Sequence, residues 1–172
     1  SEVTFTAVFI RRDEKKKGGI NSRHLYPDSA ILDPRLTLTV PPGVTATTGL
    51  DALCHAVESY LSRKATFLTE PVSIEAVRLI WTNLPKAVAD GSDREARAWM
   101  LYASFLAGVG LANAGVTAVH SISYPLGGTY GIAHGTGNAL LLPAVLRFNL
   151  PAAGEKMRRL AAALDPAWGA LP

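Results

Sequence analysis

Cysteine is almost absent: Cys54 is the only one among 172 residues. A lone thiol forms no internal disulfide, and no charged-then-apolar leader opens the chain, so a reducing, cytoplasmic setting is expected. Charge is scarce as well, with 18% of residues charged and a net charge of +3. Five of the 17 basic residues, Arg11, Arg12, Lys15, Lys16 and Lys17, lie in one short run. That run reads as a solvated hairpin tip, whereas nucleic-acid binders spread their basic residues over a face and often interleave aromatics. Nucleic acid is therefore not an expected partner.

The longest gap in charge runs from residue 99 to residue 146, 48 positions without Asp, Glu, Lys or Arg. A membrane span needs about 20 predominantly apolar residues. Here Gly108, Gly110, Asn113, Gly115 and Thr117 dilute the stretch and the flanking helices are amphipathic, so a buried central helix is expected and no membrane contact. Its small residues, from Ala107 to Ala114, suit close approach of neighbouring backbones. The 48% hydrophobic content and a length near one domain exclude disorder and collagen-like or low-complexity structure. A chain of this size buries roughly 70% of its unfolded surface.

Two textures follow one another. Residues 1–42 read as strand and turn: Val3, Phe5, Ala7 and Phe9 alternate with Thr4, Thr6 and Val8, then come the charged tip and the apolar run Ala30, Ile31 and Leu32. A two-stranded ribbon is marginal alone, so these residues are expected to complete a sheet whose other strands lie outside this chain. After Pro41 and Pro42, helices are expected over 45–61, 70–89, 93–119, 135–149 and 153–164. Both ends read as cut, as in a fragment. Residues 1–42 are expected to be the remnant of an N-terminal cofactor-binding domain, and residues 43–172 a truncated helical domain.

The chemistry gathers around histidine. His120 and His134 lie inside the charge-free stretch, where an unpaired imidazolium is costly, so both are expected to be neutral and to need a partner for each ring nitrogen. Asp51 and His55 are four residues apart and share one helix face; they make either a plain i,i+4 hydrogen bond or two convergent metal ligands. Between His120 and His134, Pro125, Gly127 and Gly128 are expected to break the preceding helix and return the chain. One carboxylate and three imidazoles suit a hard-to-borderline divalent ion. Cys54, about 100° around the helix from His55, is assigned to the core. Glu58, one turn beyond His55, either orients that imidazole or forms a salt bridge. His24 reads as an exposed loop residue.

Four segments carry a resemblance: SEVTFTAV (1–8), HLYPDSAILDPRLTLTVP (24–41), TATTGLDALCHAVESYLS (45–62) and HSISYPLGGTYGIAHGTGNALLLPAVLRFN (120–149). In this order and spacing the chain resembles the C-terminal part of the iron-containing, metal-dependent group III alcohol dehydrogenases, related in fold to dehydroquinate synthase and glycerol dehydrogenase. The resemblance implies a mainly α chain: an all-helical, dehydroquinate synthase-like metal-binding domain preceded by a two-strand remnant of an α/β nucleotide-binding domain. It implies that Asp51, His55, His120 and His134 bind the catalytic ion, Fe(II) by family, with Zn or another divalent ion also compatible with the ligands.

It further implies NAD or NADP as cofactor, with Thr4, Thr6 and Lys17 at the cofactor-binding element; the plain alternative is an outward strand face and a solvated lysine. Gly135 and Gly137 match no dinucleotide fingerprint and read as letting a helix start beside the metal. Tyr124 stands where many family members carry a further histidine in proton transfer, so a catalytic tyrosine or a packing aromatic are both open there. The implied activity is reversible oxidation of a small alcohol to its aldehyde or ketone, in a full-length homo-oligomer, with this fragment alone inactive. The alternatives are a maleylacetate or hydroxyacid reductase relative, and a truncated non-catalytic metal-binding fragment.

Overall fold

The structure is a computed structural model and describes residues 3–11 and 16–170. It is predominantly helical. An antiparallel ribbon, β1 (Thr6–Arg11) and β2 (Lys16–Asn21), precedes five helices: α1 (Pro42–Leu61), α2 (Thr69–Ala89), α3 (Arg94–Ala114), α4 (Ala118–Tyr130) and α5 (His134–Leu164). Short 3-10 turns occupy Arg23–Leu25, Pro34–Thr37 and Pro166–Ala170.

In the ribbon Thr6 faces Asn21 and Phe9 faces Gly18 in antiparallel register. The tip residues 12–15 lie outside the described residues. The apolar run Ala30, Ile31 and Leu32 is not a strand but irregular chain, exposed at Ala30 and Ile31 and half-buried at Leu32. Val3 leads from the ribbon onto α3, where it packs on Gly108.

Helices α1, α2 and α3 pack together, and α5 lies along α1. Their common core joins Ala56, Val57 and Tyr60 of α1 to Ala76 and Val77 of α2, Ala107 of α3 and Leu160 of α5. A second cluster, Ala52, Leu79, Ile80 and Ala103, continues it toward the start of α1. Full burial of a side chain such as Ile80 contributes about 1.5–3 kcal/mol. Of the small residues expected at the charge-free helix, Ala107, Gly108, Gly110 and Ala114 are buried along α3 and Ala112 is half-buried.

Helix starts follow local chemistry. Pro42 opens α1 with the fixed φ of a first helical residue, and the Asp93 carboxylate opens α3 by accepting from the Ala96 N–H at 2.9 Å. Arg97, one turn on and buried, donates to Thr45 Oγ1, the Val40 carbonyl and the Gly91 carbonyl at 2.7, 2.9 and 3.1 Å. This ties α3 to the entrance of α1.

The expected single helix over 93–119 is two. The chain stops at Gly115, whose φ of 71° and ψ of −175° suit only glycine, and restarts at Ala118. The expected break at Pro125 is also overturned: Pro125 sits inside α4, which runs on to Tyr130. The expected helices over 135–149 and 153–164 are both present within α5, as two helical segments joined across a kink at Ala153, whose φ of −127° and ψ of 16° are non-helical, two residues after Pro151. Among the described residues no single helix is long and apolar enough to cross a membrane, and α3 and α4 pass that test together only as a pair bent by 108°.

Candidate metal centre

Three helices meet at one polar pocket. α1 contributes Asp51 and His55 from successive turns, α4 brings His120 at its third residue, and α5 begins at His134. Close approach of α5 to α1 makes the meeting possible: a Cβ at Gly135 would stand 1.9 Å from the Thr47 carbonyl oxygen and 3.3 Å from the Asp51 Cβ. The expectation that this glycine lets the helix start beside the ligands thus acquires a physical reason.

Asp51 is the hub. Its Oδ1 lies 3.6 Å from His120 Nε2 and 3.6 Å from His134 Nε2, and its Oδ2 lies 4.0 Å from His55 Nδ1. At 4.0 Å the i,i+4 hydrogen bond between Asp51 and His55 is not formed. His55 instead stacks on His120, with ring centroids 4.5 Å apart, and the His134 ring meets His120 edge-on at 5.3 Å. Ligand atoms of Asp51, His55 and His120 all lie within 4.8 Å of one another.

The electrostatics follow from this crowding. Burial works against a charged Asp51, but the His120 ring 3.6 Å away, the neighbouring His55 charge and the hydrogen bond from the Asn138 amide outweigh it and hold the carboxyl at about 2. His55 is pushed down to about 4 by burial, against the pull of Asp51. His120 differs from the neutral state expected for it. Burial opposes its charge, yet the Asp51 carboxylate 3.6 Å away and the hydrogen bond to Glu58 raise it to about 9. A segment without charge in sequence is not without charge in space, because both carboxylates arrive from α1.

Glu58 is almost fully buried and does not orient His55. Its Oε2 is bonded to His120 Nδ1, while its Oε1 accepts from Thr117 N at 2.9 Å, Thr117 Oγ1 at 2.7 Å and Val119 N at 3.0 Å. Asn138 was missed in the sequence, although it lies four residues after His134 on the same helix face. Its Nδ2 stands 2.6 Å from Asp51 Oδ1, 3.0 Å from His120 Nε2 and 3.2 Å from His134 Nε2, and its Oδ1 is buried without a partner.

That arrangement tests whether a cation fits. With His120 neutral, three acceptors share the two hydrogens of one amide; with His120 charged, its Nε2–H faces the amide donor. Either state leaves a mismatch, besides the orphaned Oδ1, which a divalent cation among one carboxylate and three imidazoles resolves.

The remaining candidates fall around this pocket or away from it. Tyr124, one turn after His120 and half exposed, stacks its ring 6.2 Å from that of His134. Thr4 is buried ahead of β1, and Thr6 Oγ1 donates across the ribbon to Asn21 Oδ1 at 2.8 Å. The Lys17 side chain lies outside the described residues. Cys54 is buried as expected, and His24 is exposed in the turn Arg23–Leu25.

Residues 45–169 match the family model of the Fe-containing alcohol dehydrogenase family, C-terminal. Long-chain-alcohol dehydrogenase 1 of Geobacillus thermodenitrificans is 49% identical over 148 residues, covering 86% of this chain and 37% of that protein. The NAD-dependent methanol dehydrogenase of Bacillus methanolicus is 44% identical over 94% of this chain and 42% of its own length. Among solved structures, a 1,3-propanediol oxidoreductase superposes with a TM-score of 0.91 at 44% identity, over 95% of this chain and 43% of that one. An iron-containing alcohol dehydrogenase from Thermotoga maritima gives 0.87 at 39% identity, over 95% and 44%. The chain spans about two fifths of the length of the curated relatives it matches. It belongs to the iron-containing alcohol dehydrogenase family.

Proposed function

We propose that this chain is the metal-binding part of an NAD(P)-dependent alcohol dehydrogenase that transfers hydride reversibly between a small alcohol and nicotinamide. The observation that carries the reading is that His120 Nε2 and His134 Nε2 each lie 3.6 Å from Asp51 Oδ1, with the overloaded Asn138 amide between them.

Asp51, His55, His120 and His134 hold the divalent ion, Fe(II) by family. When bound, such an ion supplies Lewis acidity to an alcohol or carbonyl oxygen. The chain's own residues do the rest. Asp51 supplies the compensating negative charge, and the stacked pair His55 and His120 excludes water from that side. Tyr124, beside His134 and open to solvent on its other side, donates or relays the substrate proton through its hydroxyl. Thr4, Thr6 and Lys17 belong to the nicotinamide side, in residues 1–42, with residues 43–172 as the metal-binding domain. The buried lone thiol accords with a cytoplasmic enzyme, and family likeness with a homo-oligomer.

The test uses the full-length enzyme, prepared anaerobically, stripped with chelator and reloaded with single metals while alcohol-dependent reduction of NAD and NADP is followed. Activity lost on stripping and restored by one divalent ion supports the proposal. Turnover unchanged after exhaustive chelation refutes it.

A further inference from the structure

Glu58 is among the most completely buried acidic groups in the chain, and its two oxygens have different tasks. Oε1 is saturated by three donors at the entrance of α4: the Thr117 and Val119 N–H groups and the Thr117 hydroxyl. Thr117 gives α4 no side-chain cap of its own, so Glu58 takes that place from a different helix. Oε2 is left for one partner, His120 Nδ1, on the face of the ring away from Asp51.

We propose that Glu58 is the positioning residue of the centre: it holds the His120 proton on Nδ1 and thereby commits Nε2 to the cation. The inference rests on the metal reading above and adds the group that selects which ring nitrogen serves as ligand. An imidazole presents a lone pair from only one nitrogen in each neutral tautomer, and a carboxylate against Nδ1 admits only the tautomer with hydrogen there. Capping and tautomer selection are joined in one side chain, so α4 is seated at its N-terminus by the same group that orients its ligand.

Substitution by glutamine separates the two tasks. The three donors at the Oε1 position accept only an oxygen there, so the amide of Glu58→Gln turns its NH2 toward His120 Nδ1. That NH2 requires an acceptor, which moves the imidazole hydrogen to Nε2, the wrong nitrogen for the cation. The cap survives and the ligand does not.

The experiment measures Zn(II) affinity of the full-length protein by competition with a chelating indicator, and the His120 tautomer from side-chain 15N spectra of histidine-labelled Zn(II) protein. The wild type is expected to show hydrogen on Nδ1 of His120. Glu58→Gln is expected to keep the wild-type helical circular dichroism when stripped of metal, yet to bind Zn(II) about tenfold to a hundredfold more weakly. Wild-type spectra with His120 ligating through Nδ1 overturn the proposal without any variant, so its test does not depend on the variant folding. Affinity within twofold of wild type in Glu58→Gln overturns the role of Glu58 alone. A wild type that takes up no Zn(II) overturns the metal reading and this inference with it.

Discussion

Individual side chains in this protein take their chemistry from neighbours distant in sequence. Asp51 and His55 illustrate what spacing conveys: four residues on one helix place two ligand types on one face, and the structure keeps them there. Glu58 illustrates what spacing does not convey. Its partner His120 lies 62 positions away, and no rule of helical periodicity selects it over His55, one turn back. Asn138 was readable by the same i,i+4 argument as Asp51 and His55, but a neutral amide carries no charge and is not a usual metal ligand, so its residue type does not single it out.

Two predictions belong to this scale. His120 holds a second proton until about pH 9, whereas His55, depressed to about 4, is already neutral above pH 5. Cation uptake by metal-stripped protein must therefore expel one proton from His120. Apparent affinity should rise from pH 5 and level off near 9, and calorimetry in buffers of different ionisation enthalpy should count at least one proton released at pH 7. An affinity independent of pH over that range contradicts the assignment. Cys54 is pushed up to about 12 by burial and by the nearby Asp51 and Glu58 carboxylates. At pH 8 its alkylation should proceed only as fast as the protein opens, and an unfolded control should react at least a hundredfold faster, as judged by mass spectrometry.

At the scale of elements, the approach of α5 to α1 and the turn between α3 and α4 bring Asp51, His120 and His134 together. Gly135→Ala puts a methyl group against the Thr47 carbonyl, which α1 cannot yield without displacing Asp51. The expected cost is about 2–3 kcal/mol of stability, by analogy with overpacked cores, together with weaker cation binding, measured by denaturant titration and indicator competition. Gly115→Ala should cost about 1–3 kcal/mol through backbone conformation alone. Arg97→Met removes the donor to the Gly91 carbonyl and the shorter of two donors to the Val40 carbonyl, and should destabilise by about 2–3 kcal/mol without changing the cation stoichiometry. The elements least legible in the sequence are α4 and its borders. Pro125, Gly127 and Gly128 are punctuation in isolation, yet α4 begins at a carboxylate from α1 and packs against α5, and those tertiary contacts override the local signals.

The whole molecule is an α-helical body built around α1, with the ribbon joined to α3 near Val3. Its helical class and the outlines of α1, α2 and α5 followed from apolar periodicity and proline placement. The convergence of four side chains was legible through residue type and family likeness, but which contacts support them was not, because those contacts are long-range. The central claim is that Asp51, His55, His120 and His134 together hold one divalent cation. Its most direct measurement is equilibrium uptake of Zn(II) by the full-length protein, compared with Asp51→Asn and His134→Gln. The account predicts one ion per wild-type chain, and affinity at least a hundredfold weaker in both variants while each keeps the wild-type helical circular dichroism. Uptake equal to wild type in both variants would contradict it.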